Sequence, residues 1–130
     1  MVDNIYVFSY ILAIMIDTNT FFSALANDIR LRCLVLMHLQ GELCVCELTH
    51  ALDLSQPMIS RHLALLRETG IVEARRAGQW MYYTLHPDLP AWSKKVISET
   101  AKANAQESPF ADDLYALKEM PNRPDASCCA

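Results

Sequence analysis

Two thiols separated by one residue, in "ELCVCEL" at positions 42–48, are the most reactive arrangement in this chain. Cys44 and Cys46 stand directly before a stretch of helical periodicity, where the partial positive charge of a helix N-terminus favours thiolate over thiol. Such a pair is a soft donor set, suited to thiophilic metals and metalloids. Its spacing limits how it can act. Within an intact helix, residues i and i+2 point roughly 200° apart and cannot share a small ion. In an extended backbone they project to the same side. One ion bridging both sulfurs is therefore expected to need the first turn of that helix open or unwound.

The chain has 130 residues and five cysteines. Cys128 and Cys129 form a second pair in the terminal "ASCCA", while Cys33 falls on an apolar helical stripe and reads as a small core residue. An odd count with C-x-C and C-C spacings does not resemble a secreted disulfide framework, so a cytoplasmic setting is expected. There is no CxxC pair and no anion-cradling Cys loop, which argues against a thiol enzyme such as a disulfide oxidoreductase. No catalysis is expected.

The elements that must position these thiols follow from periodicity. "FFSALAND" reads as a short helix with Phe22, Leu25 and Ala26 on one stripe. Asn27 or Asp28 would cap "IRLRCLVLMHLQ", with Ile29, Cys33 and Leu36 buried and Gly41 as the stop. A third helix is predicted over Val45 to Leu52. Ser55 would cap a fourth, "QPMISRHLALLRET", with Pro57 in its first turn, Ile59, Leu63 and Leu66 inward, and Gln56, Ser60, Arg61 and Ala64 outward. Two helices joined by so short a turn are a helix-turn-helix. "IVEARRAGQWMYYTLHP" then alternates with period two, predicting a hairpin turning at "RAGQ" with Met81, Tyr83 and Leu85 on one face and Trp80, Tyr82 and Thr84 on the other. Asp88 and Pro90 open a closing helix with Trp92, Val96, Ile97 and Thr100 along one side.

The predicted architecture is mainly α with a small β-hairpin: a winged helix-turn-helix, dimeric through apolar stripes on its terminal helices. Residues 19–106 form the domain. Residues 107–130 read as an acidic, partly disordered tail with at most one weak helical turn near "FADDLYALKEM". Residues 1–18 read as an apolar segment, either a dimerisation helix or a start-site extension ahead of Met15. Its apolar run, 5–16, is shorter than the roughly 20 residues a membrane span needs, and it has no basic flank for a signal peptide. No membrane association is expected. Net charge is −4, yet residues 55–79 carry Arg61, Arg67, Arg75 and Arg76 against Glu68 and Glu73. Nucleic acid is therefore expected at one face only.

"ELCVCEL", "LSQPMISRHLALLRETGIV" and "RRAGQWMYYTLHP" together resemble the ArsR/SmtB group of bacterial metal-responsive repressors, most closely the arsenic-responsive ones, over residues 21–105. The resemblance implies a homodimeric repressor of a palindromic double-stranded operator, released when As(III) or Sb(III) binds as inducer, with no resident cofactor. Gln56, Ser60 and Arg61 have side chains able to reach base edges, with Ser55 at the head of their helix. His62 is added by the resemblance. Arg75, Arg76 and Gln79 on the hairpin would meet phosphate or minor groove. The arsenic repressors most like this chain carry a third Cys three residues after the pair, where Thr49 stands here. The third donor would then come from Cys128 or Cys129, within a subunit or across the dimer. Alternatively, His50 would give a sulfur–nitrogen set more congenial to zinc or cadmium, or two thiols would suffice for a monosubstituted organoarsenical. His38 and His86 read as surface or core-edge residues. The closing helix shows no constellation like that of the group's zinc sensors. An alternative is the same module sensing Cd, Zn, thiol oxidation or persulfide.

Overall fold

The computed structural model describes residues 16–124. Most of the apolar N-terminal segment, and the Cys128 and Cys129 pair, lie outside the described residues. Asp17 starts α1 (Thr18–Leu25), its carboxylate accepting from the Thr20 amide at 2.9 Å and the Thr20 hydroxyl at 3.0 Å. The buried face is Phe21, Ala24 and Leu25, one position off the expected stripe, which rotates it by about 100°. Phe22 is left 47% exposed, and Ala26 is the C-cap. Asn27 caps α2 (Asp28–Gln40) by accepting the Arg30 amide at 3.1 Å. Cys33, Leu34, Val35, Leu36 and Met37 are buried consecutively because other elements surround this helix. Gly41, at φ 82°, ends it.

The chain then makes a two-residue strand, β1 (Leu43–Cys44), and enters α3 (Val45–Leu52). Asp53 turns in the left-handed region at φ 55° and leads to α4 (Gln56–Glu68). Ser55 caps α4, its hydroxyl accepting the Met58 amide at 3.4 Å. Ile59, Leu63 and Leu66 are fully buried, each worth roughly 1.5–3 kcal/mol of burial. They fix which face α4 turns outward. Strands β2 (Val72–Ala77) and β3 (Trp80–Leu85) form the wing, with Ala77 opposite Trp80 across a turn at Gly78 and Gln79. Tyr83 is buried, and Met81 and Leu85 pack against the core on the same face, as the alternation predicts. β1 adds to the far side of β3, pairing Leu43 with Tyr83 and Cys44 with Tyr82, so the sheet order is β1-β3-β2.

The closing helix α5 (Ala91–Asn104) buries Ser93, Ile97 and Ala101, leaving Trp92 40% exposed. Ser93 fits there because its hydroxyl donates to the Pro90 carbonyl at 2.8 Å. The larger departure is at 110–118. Instead of one weak turn there is a full helix, α6 (Phe110–Lys118), packed on α2 and α3 with Leu117 fully buried. Its anchor is Asp113, whose side chain is 3% exposed and accepts from Arg32 at 2.7 and 2.9 Å. That bidentate pair raises the Arg32 pKa through the hydrogen bonds to Asp113. Because the partners are 81 residues apart, local periodicity carries no trace of it. Asp113→Ala leaves Arg32 without its partner and should lower unfolding free energy in urea by about 3 kcal/mol. A loss below about 1 kcal/mol would mean that α6 is only loosely attached.

Candidate nucleic-acid interface and thiol site

The buried stripe of α4 leaves Gln56 and Arg61 exposed and Ser60 half-buried on its outer side. Gln56 and Ser60 are one turn apart and present adjacent polar groups, the geometry base-edge reading requires. Ser55 sits at the head of this helix with its hydroxyl engaged in capping. His62 turns away towards the start of α2. Its Nδ1 lies 3.3 Å from an Arg30 guanidinium nitrogen, and burial, then the Arg30 and Arg61 charges, lower its pKa. It therefore offers a neutral ring to any contact at pH 7.

On the wing, Arg76 and Gln79 are exposed. Arg75 is held in a bidentate pair with Glu42 at 2.6 and 2.7 Å and lies 4.8 Å over the Tyr82 ring. Its charge is already matched, so contact with phosphate would require leaving Glu42. The sequence singled out Arg75 and Arg76 equally; Glu42, which precedes β1 on the far side of β3, separates them.

The thiols sit closer together than helix geometry alone predicts. Cys44 is not the first helical residue but the N-cap, extended at φ −88° and ψ 164°, and still paired to β3. Cys46 lies in the first turn of α3. Their α-carbons are 5.4 Å apart and their sulfurs are joined as a disulfide. The expected opening or unwinding of the first turn is thus not needed, because the i, i+2 pair straddles the helix boundary. Glu47, one further along, was missed by the sequence pattern. Its side chain is 2% exposed; one oxygen accepts the Cys44 amide at 2.9 Å and the other accepts Arg123 Nε at 2.7 Å. The C-x-x-E spacing of Cys44 and Glu47, a capping box with Cys in place of Ser, was the signal available.

Cys46, Thr49 and His50 line a groove of about 920 Å³ that also contains Gln56, Ser60 and Trp80. The thiol site and the outer face of α4 therefore share one cleft. Thr49 Oγ1 is buried without a hydrogen-bond partner among the described residues. His50 is exposed and one turn beyond Cys46. His38 is exposed on α2, and His86 Nδ1 accepts the Asp88 amide at 3.1 Å, a turn contact. Among the described residues, no group of three or more His, Cys, Asp and Glu side chains is placed to hold a metal ion. No described helix is long and apolar enough to cross a membrane.

Comparison with known proteins agrees with this geometry. Residues 27–74 match the family described as "Bacterial regulatory protein, arsR family". The chain is 51% identical over 105 residues to the arsenic resistance transcriptional regulator ArsR1 of Pseudomonas putida, covering 81% of this chain and 80% of that one. It is 54% identical over 78 residues to the arsenical resistance operon repressor of Escherichia coli, covering 60% and 67% respectively. Among solved structures, HlyU from Vibrio cholerae superposes with a TM-score of 0.59 at 38% identity, over 67% of this chain and 90% of that one.

Cys33 is different in kind from the N-cap pair. It is fully buried, and burial, followed by the Asp113 charge, pushes its thiol up to about 12. In reduced protein at pH 8, iodoacetamide should therefore alkylate half-buried Cys46 in the native state but reach Cys33 only in denaturant. Peptide mass spectrometry of the two conditions reads this directly. Native-state labelling of Cys33 would contradict it.

Proposed function

The chain belongs to the ArsR family of bacterial regulatory proteins, DNA-binding transcriptional regulators that catalyse no reaction, and from that premise we propose a homodimeric repressor that leaves its operator when Cys44 and Cys46 capture trivalent arsenic or antimony. The observation that carries this reading is the position of Cys44. It is at once the last residue of the strand that joins the wing and the N-cap of α3, the helix that supports α4. A ligand bridging Cys44 and Cys46 acts on the joint between wing and helix-turn-helix.

Capture begins with the pair reduced. A low-molecular-weight thiol supplies the two electrons that open the disulfide. As(OH)₃ then loses one hydroxyl as water for each sulfur bound, taking the proton from that thiol; arsenic remains trivalent. To lower operator affinity 100-fold, the ligand need favour the released conformation by only about 2.7 kcal/mol. Gln56, Ser60 and Arg61 read bases in the major groove, with His62 and Ser55 at the edge of that surface, and Arg76 and Gln79 lie along the backbone, joined by Arg75 if it exchanges Glu42 for phosphate. Phe22 and Trp92, an exposed aromatic patch contributed by α1 and α5, support pairing of two copies. The protein would work in the cytoplasm, where the operator and a reducing thiol pool are found.

A second reading has a specific observation behind it: the sulfurs are close enough to bond. The same joint could then report thiol oxidation, with reductant restoring DNA binding. Fluorescence anisotropy of a labelled palindromic operator, titrated with As(III) in excess mild reductant, separates the two. Wild type should release the operator, and Cys44→Ser/Cys46→Ser should stay bound at the same arsenic concentration. Wild type that stays bound at saturating arsenic would defeat the arsenic reading and make oxidants, cadmium and zinc the next titrants.

A further inference from the structure

A second cleft shares no residue with the groove that joins Cys46 to Gln56 and Ser60. It forms where the end of α2, the end of β3 and one side of α5 converge. It holds about 510 Å³, within the roughly 300–1,000 Å³ usual for small-ligand sites. The phase of α5 sets its wall. Ser93, Ile97 and Ala101 face the core, so the residue after each, Lys94, Ser98 and Lys102, borders the cleft one turn above another. Lys95 joins them.

Three of the chain's four lysines thus meet at one cleft, in a chain of net charge −4. A solvated lysine face is usually balanced by carboxylates four residues away. Here Ser98 holds that position for both Lys94 and Lys102, and offers a half-buried hydroxyl instead. Lys94 Nζ donates to the Pro87 carbonyl at 2.7 Å, which fixes the ammonium without cancelling its charge. Glu99 is the one acid in the lining, 3.9 Å from Lys102, and both side chains are mostly exposed, so the pair is weak. His86 Nδ1 accepts the Asp88 amide, which leaves the ring proton on Nε2, 3.9 Å from Glu73 and beyond hydrogen-bonding distance.

We propose that this cleft binds a small anion with two linked phosphate groups, a diphosphate either free or carried by a nucleoside. The assignment is independent of the arsenic reading. Ligand charge follows from three ammonium groups set against Glu99 alone. Phosphate is favoured over carboxylate because no arginine lines the cleft, so the planar fork that suits a carboxylate is missing, whereas ammonium groups act on phosphate as point charges. Two phosphates are required by spacing. Lys94 and Lys102 are about 12 Å apart along the helix axis, more than the oxygens of one phosphate span. Leu85 and Pro87 give the cleft an apolar side beside the charges.

Titrating the full-length protein with sodium pyrophosphate, free of DNA and divalent cations, tests this by calorimetry and amide chemical shifts. One site per chain is expected, with shifts concentrated at residues 85–87 and 94–102. Lys94→Gln/Lys102→Gln replaces two exposed side chains and should weaken binding about 10-fold or more, with operator affinity unchanged. ADP distinguishes the two sources: tighter binding with added shifts at Leu85 and Pro87 assigns a nucleoside diphosphate, and weaker binding assigns the free anion. No saturable binding would overturn the proposal. So would binding lost in Arg61→Gln/Arg76→Gln, with shifts in α4 and the wing. Equal affinity for citrate would overturn the choice of phosphate. If the lysine variant instead loses operator affinity and its salt dependence flattens, the cleft serves duplex phosphates and the small-anion assignment fails.

Discussion

A carboxylate taken out of water is costly unless it is paired and hydrogen-bonded, and Glu47 is both. One oxygen holds the Cys44 amide at the start of α3; the other holds Arg123 from the C-terminal segment. The negative charge in the first turn of α3 is also where a helix dipole favours it. This side chain, together with the pairing of Cys44 to β3, decides where α3 begins, and hence that Cys44 is extended and Cys46 helical. Without that boundary the two sulfurs would point apart. The thiol pair, the short strand beside the wing and the attachment of the tail all depend on it.

The DNA-facing side has few charges to spend. Arg61, Arg67 and Arg76 are exposed, whereas Arg75 is matched by Glu42 and His62 is held neutral by burial and neighbouring arginines. A chain of net charge −4 gains little from generic attraction to a polyanion. On the proposed reading, operator choice rests on Gln56, Ser60 and Arg61 of α4 and on doubling by a second copy, with phosphate contacts setting register. Such an interface is sensitive to geometry. A small rotation of α4 against the wing misplaces both halves of the contact, which suits a switch located where wing and helix-turn-helix meet.

Much of this was readable from the chain. Ser55, Pro57, the Ile59–Leu63–Leu66 stripe and the alternation from Met81 to Leu85 specify local elements; α3 lies where periodicity predicts, and α4 where its cap and periodicity predict. What failed to show had non-local causes. β1 has only two residues and exists through pairing with Tyr82 and Tyr83. Helix α6 is held by Asp113 on Arg32, a partner 81 residues away. The stripes of α1 and α5 are shifted because buried Phe21 and Ser93 are selected by tertiary neighbours over Phe22 and Trp92. At the thiol site the residue types were legible and the geometry was not. The helix start at Val45 is where periodicity put it; that Cys44 stays extended there and meets Cys46 without unwinding is set by Glu47 and the β3 ladder.

The central claim is that arsenic at the thiols acts on the joint between wing and α3. Hydrogen exchange of the reduced protein, with and without As(III) and in the absence of DNA, measures that joint amide by amide. The account expects altered protection at residues 43–47, at Tyr82 and Tyr83 across the ladder and into α4, with the central helix α2 unchanged. Arsenic binding with identical exchange at the ladder and in α4 would contradict it and require another route from the thiols to DNA.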